Sequence, residues 1–178
     1  MKLLMHMCCA PCSTYPMTLL KKDKIDVTGF FYNPNIHPLD EYQKRLDTVK
    51  RYADIMNLKV EYIDEYMEDR WRNYTGNNDH RCDMCYRLRL DKTAAYAKEN
   101  RFDAFTTTLL VSPYQNHELI KELGNQYALK YGIKFYYQDF REGFREGQAI
   151  AKELELYRQK YCGCIISFNE TQKSKLKQ

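Results

Sequence analysis

The chain has 178 residues, 44% of them hydrophobic and 29% charged, with a net charge of +4, a composition that suits one soluble domain with its own core. A mean hydropathy of -0.71 and the lack of any apolar run near the roughly 18–20 residues of a membrane helix argue against a membrane protein. The mild basic excess permits a nucleic-acid partner without demanding one, and the 16 tyrosines can serve a core and its rim or stack on unpaired bases.

In chain order, Lys2 to Met7 reads as a strand. The apolar start is broken by His6 and falls short of the roughly 7–15 residues of a secretory signal core, so the expected location is the cytoplasm. Cys8 to Ser13 reads as a turn, with Pro11 ending the extended run. Ser13 or Thr14 caps a helix that runs to about Lys22. Asp26 to Tyr32 is a second strand, stopped by Asn33-Pro34-Asn35. From Pro38 to Met56, Leu39, Tyr42, Leu46, Val49, Tyr52 and Ile55 recur at helical spacing. Leu58 to Asp64 alternates apolar and polar and reads as a third strand. A short helix over Tyr66 to Tyr74, a turn at Gly76 to Asp79 and a helix over Met84 to Asn100 follow. Asp103 to Leu110 is a fourth strand, Pro113 to Tyr131 a helix closed by Gly132, and Lys134 to Asp139 a fifth strand. A last helix spans Gly147 to Tyr161, and Lys173 to Gln178 forms a polar tail.

Strands alternating with helices imply parallel strands joined by crossover helices. The expected architecture is α/β: a single-domain, three-layer, parallel-sheet, Rossmann-like fold over residues 1–172. Sites in such sheets lie outside the carboxyl ends of the strands. The turn after the first strand, Tyr32-Asn33-Pro34-Asn35 after the second, and Thr106-Thr107-Thr108 near the end of the fourth all fall there. A cysteine-lined metal site is expected at that edge.

The 7 cysteines fall into three groups and nowhere else: Cys8, Cys9 and Cys12 in one turn, Cys82 and Cys85 as C-x-x-C entering a helix, and Cys162 and Cys164 as C-x-C around a glycine. An odd number of thiols in a reducing compartment is not a disulfide framework. Buried structural cysteines would scatter through strands and helices rather than gather. A four-thiolate zinc site leaves three thiols unexplained. A 4Fe–4S cluster also takes four, and a cluster beside a second metal uses all seven. A dithiol at Cys82-Asp83-Met84-Cys85 ignores the other five. Spacing favours iron–sulfur over zinc without excluding either.

Several segments resemble the QueH family of epoxyqueuosine reductases. His6-Met7-Cys8-Cys9-Ala10-Pro11-Cys12-Ser13 is similar to its opening motif, and Cys82-Asp83-Met84-Cys85-Tyr86-Arg87-Leu88-Arg89-Leu90 to its C-x-x-C-Y-x-x-R-L segment. Tyr32-Asn33-Pro34-Asn35-Ile36-His37-Pro38 with Glu41, Tyr42 and Arg45, Thr106 to Pro113, and Tyr161-Cys162-Gly163-Cys164 match in the same order. The resemblance implies reduction of epoxyqueuosine to queuosine at the wobble position of tRNA. It also implies a 4Fe–4S cluster beside an additional mononuclear iron held by cysteinates and a carboxylate. In this chain Cys12 stands where some relatives place that carboxylate; Asp79 and Asp83 are nearby in sequence.

On this reading Cys8, Cys9, Cys12, Cys82, Cys85, Cys162 and Cys164 bind metal. Cys8 and Cys9 and the two later pairs are the cluster candidates, and Cys8 and Cys12 flank the reaction. Deoxygenating an epoxide to an alkene takes two electrons and two protons, with the oxygen leaving as water. Tyr32, His37 and Tyr86 are candidate proton donors beside the motifs. Asn33, Arg45, Arg81, Arg87 and Arg89 are candidate contacts to the RNA, since single-stranded loops are held through phosphates, base edges and stacking. His6 reads as a core histidine, and His80 as a residue behind the metal ligands or an exposed loop residue. The expected partners are a tRNA carrying epoxyqueuosine in its anticodon loop and an electron donor such as a ferredoxin or flavodoxin, with no membrane. Two rival readings are a zinc-stabilised RNA-binding module and a thiol–disulfide enzyme using Cys82 and Cys85.

Overall fold

The computed structural model describes residues 1–176 of the chain. Five strands, β1 (Lys2–His6), β2 (Asp26–Phe31), β3 (Val60–Tyr62), β4 (Ala104–Thr107) and β5 (Lys134–Phe135), form one sheet in the order β3-β2-β1-β4-β5. Every neighbouring pair is parallel, with His6 beside Phe30 on one side and Thr107 on the other. The helices are α1 (Ala10–Lys22), α2 (Leu39–Met56), α3 (Glu68–Arg72), α4 (Asn78–Glu99), α5 (His117–Tyr131), α6 (Phe144–Glu153) and α7 (Ile165–Lys175).

Side chains of β1 alternate between two cores, as the strand period requires. Leu3 and Met5 join Met17 and Leu20 of α1, Val49 of α2 and Ala151 of α6. Leu4 joins Leu90 and Ala94 of α4 with Ile120 and Leu123 of α5. Helices therefore cover both faces, the three-layer arrangement expected from the alternating pattern. The chain leaves β1 toward β2 on one side and returns to β4 on the other. The strand order thus reverses between β1 and β4, which opens a crevice at their carboxyl ends.

The observed strands β4 and β5 are shorter than the expected Asp103 to Leu110 and Lys134 to Asp139, α5 starts at His117 rather than Pro113, and other helices differ further. Helix α1 begins at Ala10 rather than after Ser13, because Cys9 caps it through its sulfur and Pro11 suits a first turn. Helix α4 begins at Asn78 rather than Met84, capped by the Asn77 side chain, so Cys82 lies on the helix together with Cys85. The helix expected over Gly147 to Tyr161 is α6, which starts at Phe144 and stops at Glu153; Glu155 turns left-handed at φ 51°. Residues after Cys164 continue as α7 to Lys175, so the expected tail from Lys173 is helical at its start, while its last two residues lie outside the described ones.

The segment between α6 and α7 is held by a buried ion pair. Arg45 of α2, 2% exposed, donates from Nε to Glu41 Oε1 at 2.8 Å, and its other nitrogens donate to the carbonyls of Cys162 at 2.9 Å and Tyr161 at 3.0 Å. Tyr157 donates to the second Glu41 oxygen at 2.6 Å. Replacing Arg45 by Met is expected to destabilise the fold by about 3–5 kcal/mol, the cost of stranding a buried carboxylate. Denaturant unfolding measures the loss, and Glu41→Leu added to Arg45→Met is expected to recover most of it.

Candidate metal centre

Three of the thiols meet in the β1–β4 crevice. Strand β1 ends at His6, and two residues later the Cys8 N–H donates to Thr108 Oγ1 at 3.0 Å, while that hydroxyl donates to Cys8 Sγ at 3.2 Å. Thr108 follows β4, so this contact is set by the register of the two strands. Cys9 is the N-cap of α1 and accepts the Cys12 N–H at 3.3 Å. The sulfurs of Cys8, Cys9 and Cys12 all lie within 4.8 Å of one another, the one such three-donor group of His, Cys, Asp or Glu among the described residues. Hydrogen bonds from Cys12 and Cys9 pull the Cys8 thiol well below its ordinary range. Burial pushes Cys9 up, and the bond to Cys8 pushes Cys12 up. Gln159 covers the group: its Nε2 donates to Cys9 Sγ at 3.0 Å and to Cys12 Sγ at 3.6 Å.

The other four thiols surround a second, adjoining cavity. Cys82 and Cys85 sit one turn apart on the same face of α4. Cys164 caps α7, accepting the Ser167 N–H at 3.5 Å. Gly163 adopts φ 150°, a backbone state that side chains disfavour, and its carbonyl accepts the His37 N–H at 2.8 Å. Cys82, Cys85, Cys162 and Cys164 line this cavity together with Trp71 and Arg89. No three of their sulfurs lie within 4.8 Å of one another. A single tetrahedral zinc would draw four sulfurs to about 3.8 Å apart, from its Zn–S distance of about 2.3 Å. A cubane with an iron at each of four corners holds its thiolates farther apart.

Charge and hydrogen bonding at this cavity fit an anionic metal–sulfur group. Arg89 is 2% exposed and takes part in no ion pair among the described residues. Its bonds run to Cys85, to the carbonyl from Nε at 3.2 Å and to the sulfur from Nη2 at 3.2 Å. A buried guanidinium without a carboxylate needs another anion beside it, and thiolates on metal supply one. The Trp71 indole N–H is buried and has no acceptor. Burial pushes Cys85 up to about 12, which opposes use of Cys82 and Cys85 as a nucleophilic dithiol, since such thiols are activated by a lowered pKa.

The two sets open onto one larger cavity of about 460 Å³, lined among others by Cys8, Cys12, Cys82 and Cys162. Of the residues expected at the site, Asn33, Arg45, Tyr86 and Arg89 reach this cavity. Asn33 donates to the Met7 carbonyl at 2.8 Å, and its own carbonyl oxygen has no partner. The Tyr86 hydroxyl donates to Gln115 Oε1 at 2.7 Å and accepts the Asn116 N–H at 3.3 Å, while burial pushes its pKa up to about 12.

The remaining expected residues lie elsewhere. Tyr32 points away and donates to Glu65 at 3.1 Å. Both ring nitrogens of His37 are engaged, Nε2 with the Pro34 carbonyl at 3.0 Å and Nδ1 with the Ile165 N–H at 3.1 Å, so its ring braces the Cys164 segment and has no nitrogen free for proton transfer. Arg81 is buried in the wall of the four-thiol cavity, away from the larger one, and donates to Asn78 at 2.7 Å. Arg87 is on the outer face of α4 and pairs with Asp83 at 2.8 Å. Asp79 and Asp83 do not join the thiols. His6 is a core histidine, bonded to Thr107 at 2.9 Å and to the Tyr32 carbonyl at 3.2 Å, and burial lowers its pKa to about 4. His80 is exposed in the first turn of α4. Sequence reading placed Thr108 at the strand edge but passed over Gln159, Gln115 and Trp71. Only the position of Gln159 three residues before Cys162 pointed to any of them.

A parallel α/β domain with two converging thiol sets at its topological switch point is a metal-binding protein by construction. A family model described as epoxyqueuosine reductase QueH matches residues 3–170. The chain is 36% identical to an epoxyqueuosine reductase QueH of Dehalococcoides mccartyi over 175 residues, covering 93% of this chain and 92% of the relative. It is 38% identical to that of Thermotoga maritima over 179 residues, covering 94% and 90%. The chain therefore belongs to the QueH family of epoxyqueuosine reductases, a family of oxidoreductases. Among solved structures it is similar to the U34-tRNA thiolase NcsA of Methanococcus maripaludis, solved with its 4Fe–4S cluster, at a TM-score of 0.59 and 16% identity over 92% of this chain and 60% of that one. A deacetylase of teicoplanin biosynthesis aligns at a TM-score of 0.54 and 9% identity over 86% and 83%. At such identities the likeness concerns the fold alone. No helix among the described residues is long and apolar enough to cross a membrane.

Gln159 is the side-chain amide that touches the three-thiol group. Gln159→Leu is expected to weaken a metal there by about 10–100-fold, the usual cost of losing a bond to a ligand. Cobalt(II) added to the metal-free protein, followed by its thiolate charge-transfer bands and by chelator competition, measures the change.

Proposed function

We propose that this chain reduces epoxyqueuosine to queuosine at the wobble position of tRNA, with Cys82, Cys85, Cys162 and Cys164 holding a 4Fe–4S cluster and Cys8, Cys9 and Cys12 holding an additional mononuclear iron. The observation that carries the reading is the division of seven thiols into four and three around one cavity. Four is the number a cluster takes. Three thiolates leave a coordination position open toward the cavity, as catalytic rather than structural sites do. When bound, the two groups supply electrons one at a time and a Lewis acid for the epoxide oxygen.

The chain's own residues set up the rest. The Tyr86 hydroxyl stands in the cavity wall and is the proton donor of this reading, its O–H turning from Gln115 Oε1 to the substrate while the Asn116 N–H holds its oxygen. The Gln115 amide also reaches Cys162 Sγ at 3.7 Å, linking the donor to the four-thiol set. Two electrons, two protons and the epoxide then give the alkene and water. The free carbonyl oxygens of Asn33 and Asn35 are acceptors for hydroxyl or amine groups of the bound nucleotide. Cys162 is exposed, so an electron donor such as a ferredoxin or flavodoxin has access to the cluster at that edge.

Anaerobically purified protein is expected to be brown and to convert epoxyqueuosine-containing tRNA to a product lighter by one oxygen, read by mass spectrometry of digested RNA. A colourless zinc protein without turnover would sink the proposal. Alanine at Cys82, Cys85, Cys162 or Cys164 is expected to abolish the visible absorbance, whereas alanine at Cys8, Cys9 or Cys12 keeps it and loses the extra iron, measured by iron and sulfide analysis. Tyr86→Phe is expected to slow turnover about a hundredfold or more, the range for a lost general acid, with absorbance unchanged.

A further inference from the structure

The mouth of the cavity carries residues that the reduction itself does not use. Four cations line the cavity, Arg45, Arg89, Arg158 and Lys160, and no carboxylate does. Arg45 and Arg89 are buried, bonded to the Tyr161 and Cys162 carbonyls and to Cys85. Arg158 and Lys160 are exposed, and neither joins an ion pair among the described residues. Tyr114 lines the same cavity, yet 84% of it is open to solvent. Its ring meets Phe144 edge to face, with centroids 5.9 Å apart and planes at 84°.

The ring is braced from its own backbone. The Tyr114 N–H donates to Ser112 Oγ at 3.3 Å, and the Gln115 N–H to the Ser112 carbonyl at 3.4 Å, forming a tight turn through Pro113. Gln115, the next residue, is tied to Tyr86 and reaches Cys162. A large aromatic face is thus held out at the entrance, close in the chain to the reaction centre, where it contributes little to the core. Exposed aromatics beside unpaired cations, with no acid to repel phosphate, are what single-stranded RNA binds: bases stack on the rings and phosphates pair with the cations.

We propose that Tyr114, supported by Phe144, is the stacking platform for an unpaired RNA base next to the nucleotide in the cavity, and that Arg158 and Lys160 hold the adjoining phosphates. This rests on the tRNA reading above and names residues for it. It moves the RNA contacts away from Arg81 and Arg87, one buried in the wall of the four-thiol cavity and the other on the outer face of α4. A rigid ring loses little freedom on binding, so stacking on it is favourable from a single residue.

The test uses the anaerobic holoenzyme, a fluorescently labelled anticodon stem-loop RNA for affinity, and modified tRNA for turnover. Tyr114→Ala is expected to weaken binding by about tenfold, within the range for one lost base stack, with the loss falling on KM rather than kcat and with wild-type visible absorbance. Tyr114→Phe, which keeps the ring, is expected to restore affinity. The dependence of log affinity on log salt is expected to keep its slope in Tyr114→Ala, and to flatten by roughly 1.4 when Arg158 and Lys160 are both changed to Gln, two phosphate contacts on a single strand. If wild type converts tRNA and Tyr114→Ala does so with the same KM and affinity, the platform is refuted while the reductase reading stands. If Tyr114→Ala keeps its RNA affinity but takes electrons more slowly from a donor protein, the surface belongs to that donor and the proposal is wrong. If wild type neither binds the stem-loop nor converts tRNA, the reductase reading itself has failed.

Discussion

Cys162 and Cys164 lie more than seventy residues beyond the C-x-x-C and follow a long irregular segment, so their arrival at the site depends on what anchors that segment. The anchor is Arg45, whose guanidinium leaves α2 at full charge inside the protein and binds two consecutive carbonyls, those of Tyr161 and Cys162. Glu41 neutralises it one turn earlier on the same helix. His37 adds a second fastening, bonding the Gly163 carbonyl through its backbone and the Ile165 N–H through its ring. Irregular backbone inside a protein requires partners for its polar groups, and here those partners also fix where two sulfurs point. Loss of this clasp would disperse the four-thiol set while leaving the sheet intact.

Electrostatics at the site follow from the same economy of groups. Thiols are poor hydrogen-bonding partners and become anions only when something stabilises the charge. Arg89 enters from α4 with no carboxylate, and the cavity wall holds cations without acids. The positive charge is therefore left for sulfur below and for an anionic ligand above. Arg45 is offset by Glu41, so Arg89, Arg158 and Lys160 are the cations of this wall without an ion pair among the described residues.

Much of the fold was legible because parallel sheets announce themselves: short apolar strands alternate with helices long enough to cross over. Cys8 was placed at the carboxyl edge simply because it follows β1. What stayed hidden was local. Cys9 serves as a helix cap in place of the usual Ser, Thr, Asp or Asn, so α1 starts four residues sooner than a Ser13 cap would give. Helix α7 shows no strong apolar stripe and is joined to the body through Cys164 and Ile165. Arg45 and Arg81 look like surface cations in the sequence and are core residues in the fold, because their partners come from a distant carbonyl pair or from a side chain that only the helix start brings near. Arg87, one residue after the buried Tyr86, points outward by helical rotation alone.

The unexpected feature common to all three cysteine groups is their position on helices. Cys9 caps α1 and Cys12 sits in its first turn; Cys82 and Cys85 occupy the first two turns of α4; Cys164 caps α7. The caps are local contacts, Cys9 accepting the Cys12 N–H and Cys164 the Ser167 N–H, while burial pushes Cys9, Cys85 and Cys164 up toward the neutral thiol. Carboxylates, which would compete for the same N–H groups, are absent from the lining of the shared cavity. The buried guanidinium groups of Arg45 and Arg89 stay charged at any pH near neutral and fix the sign of the site.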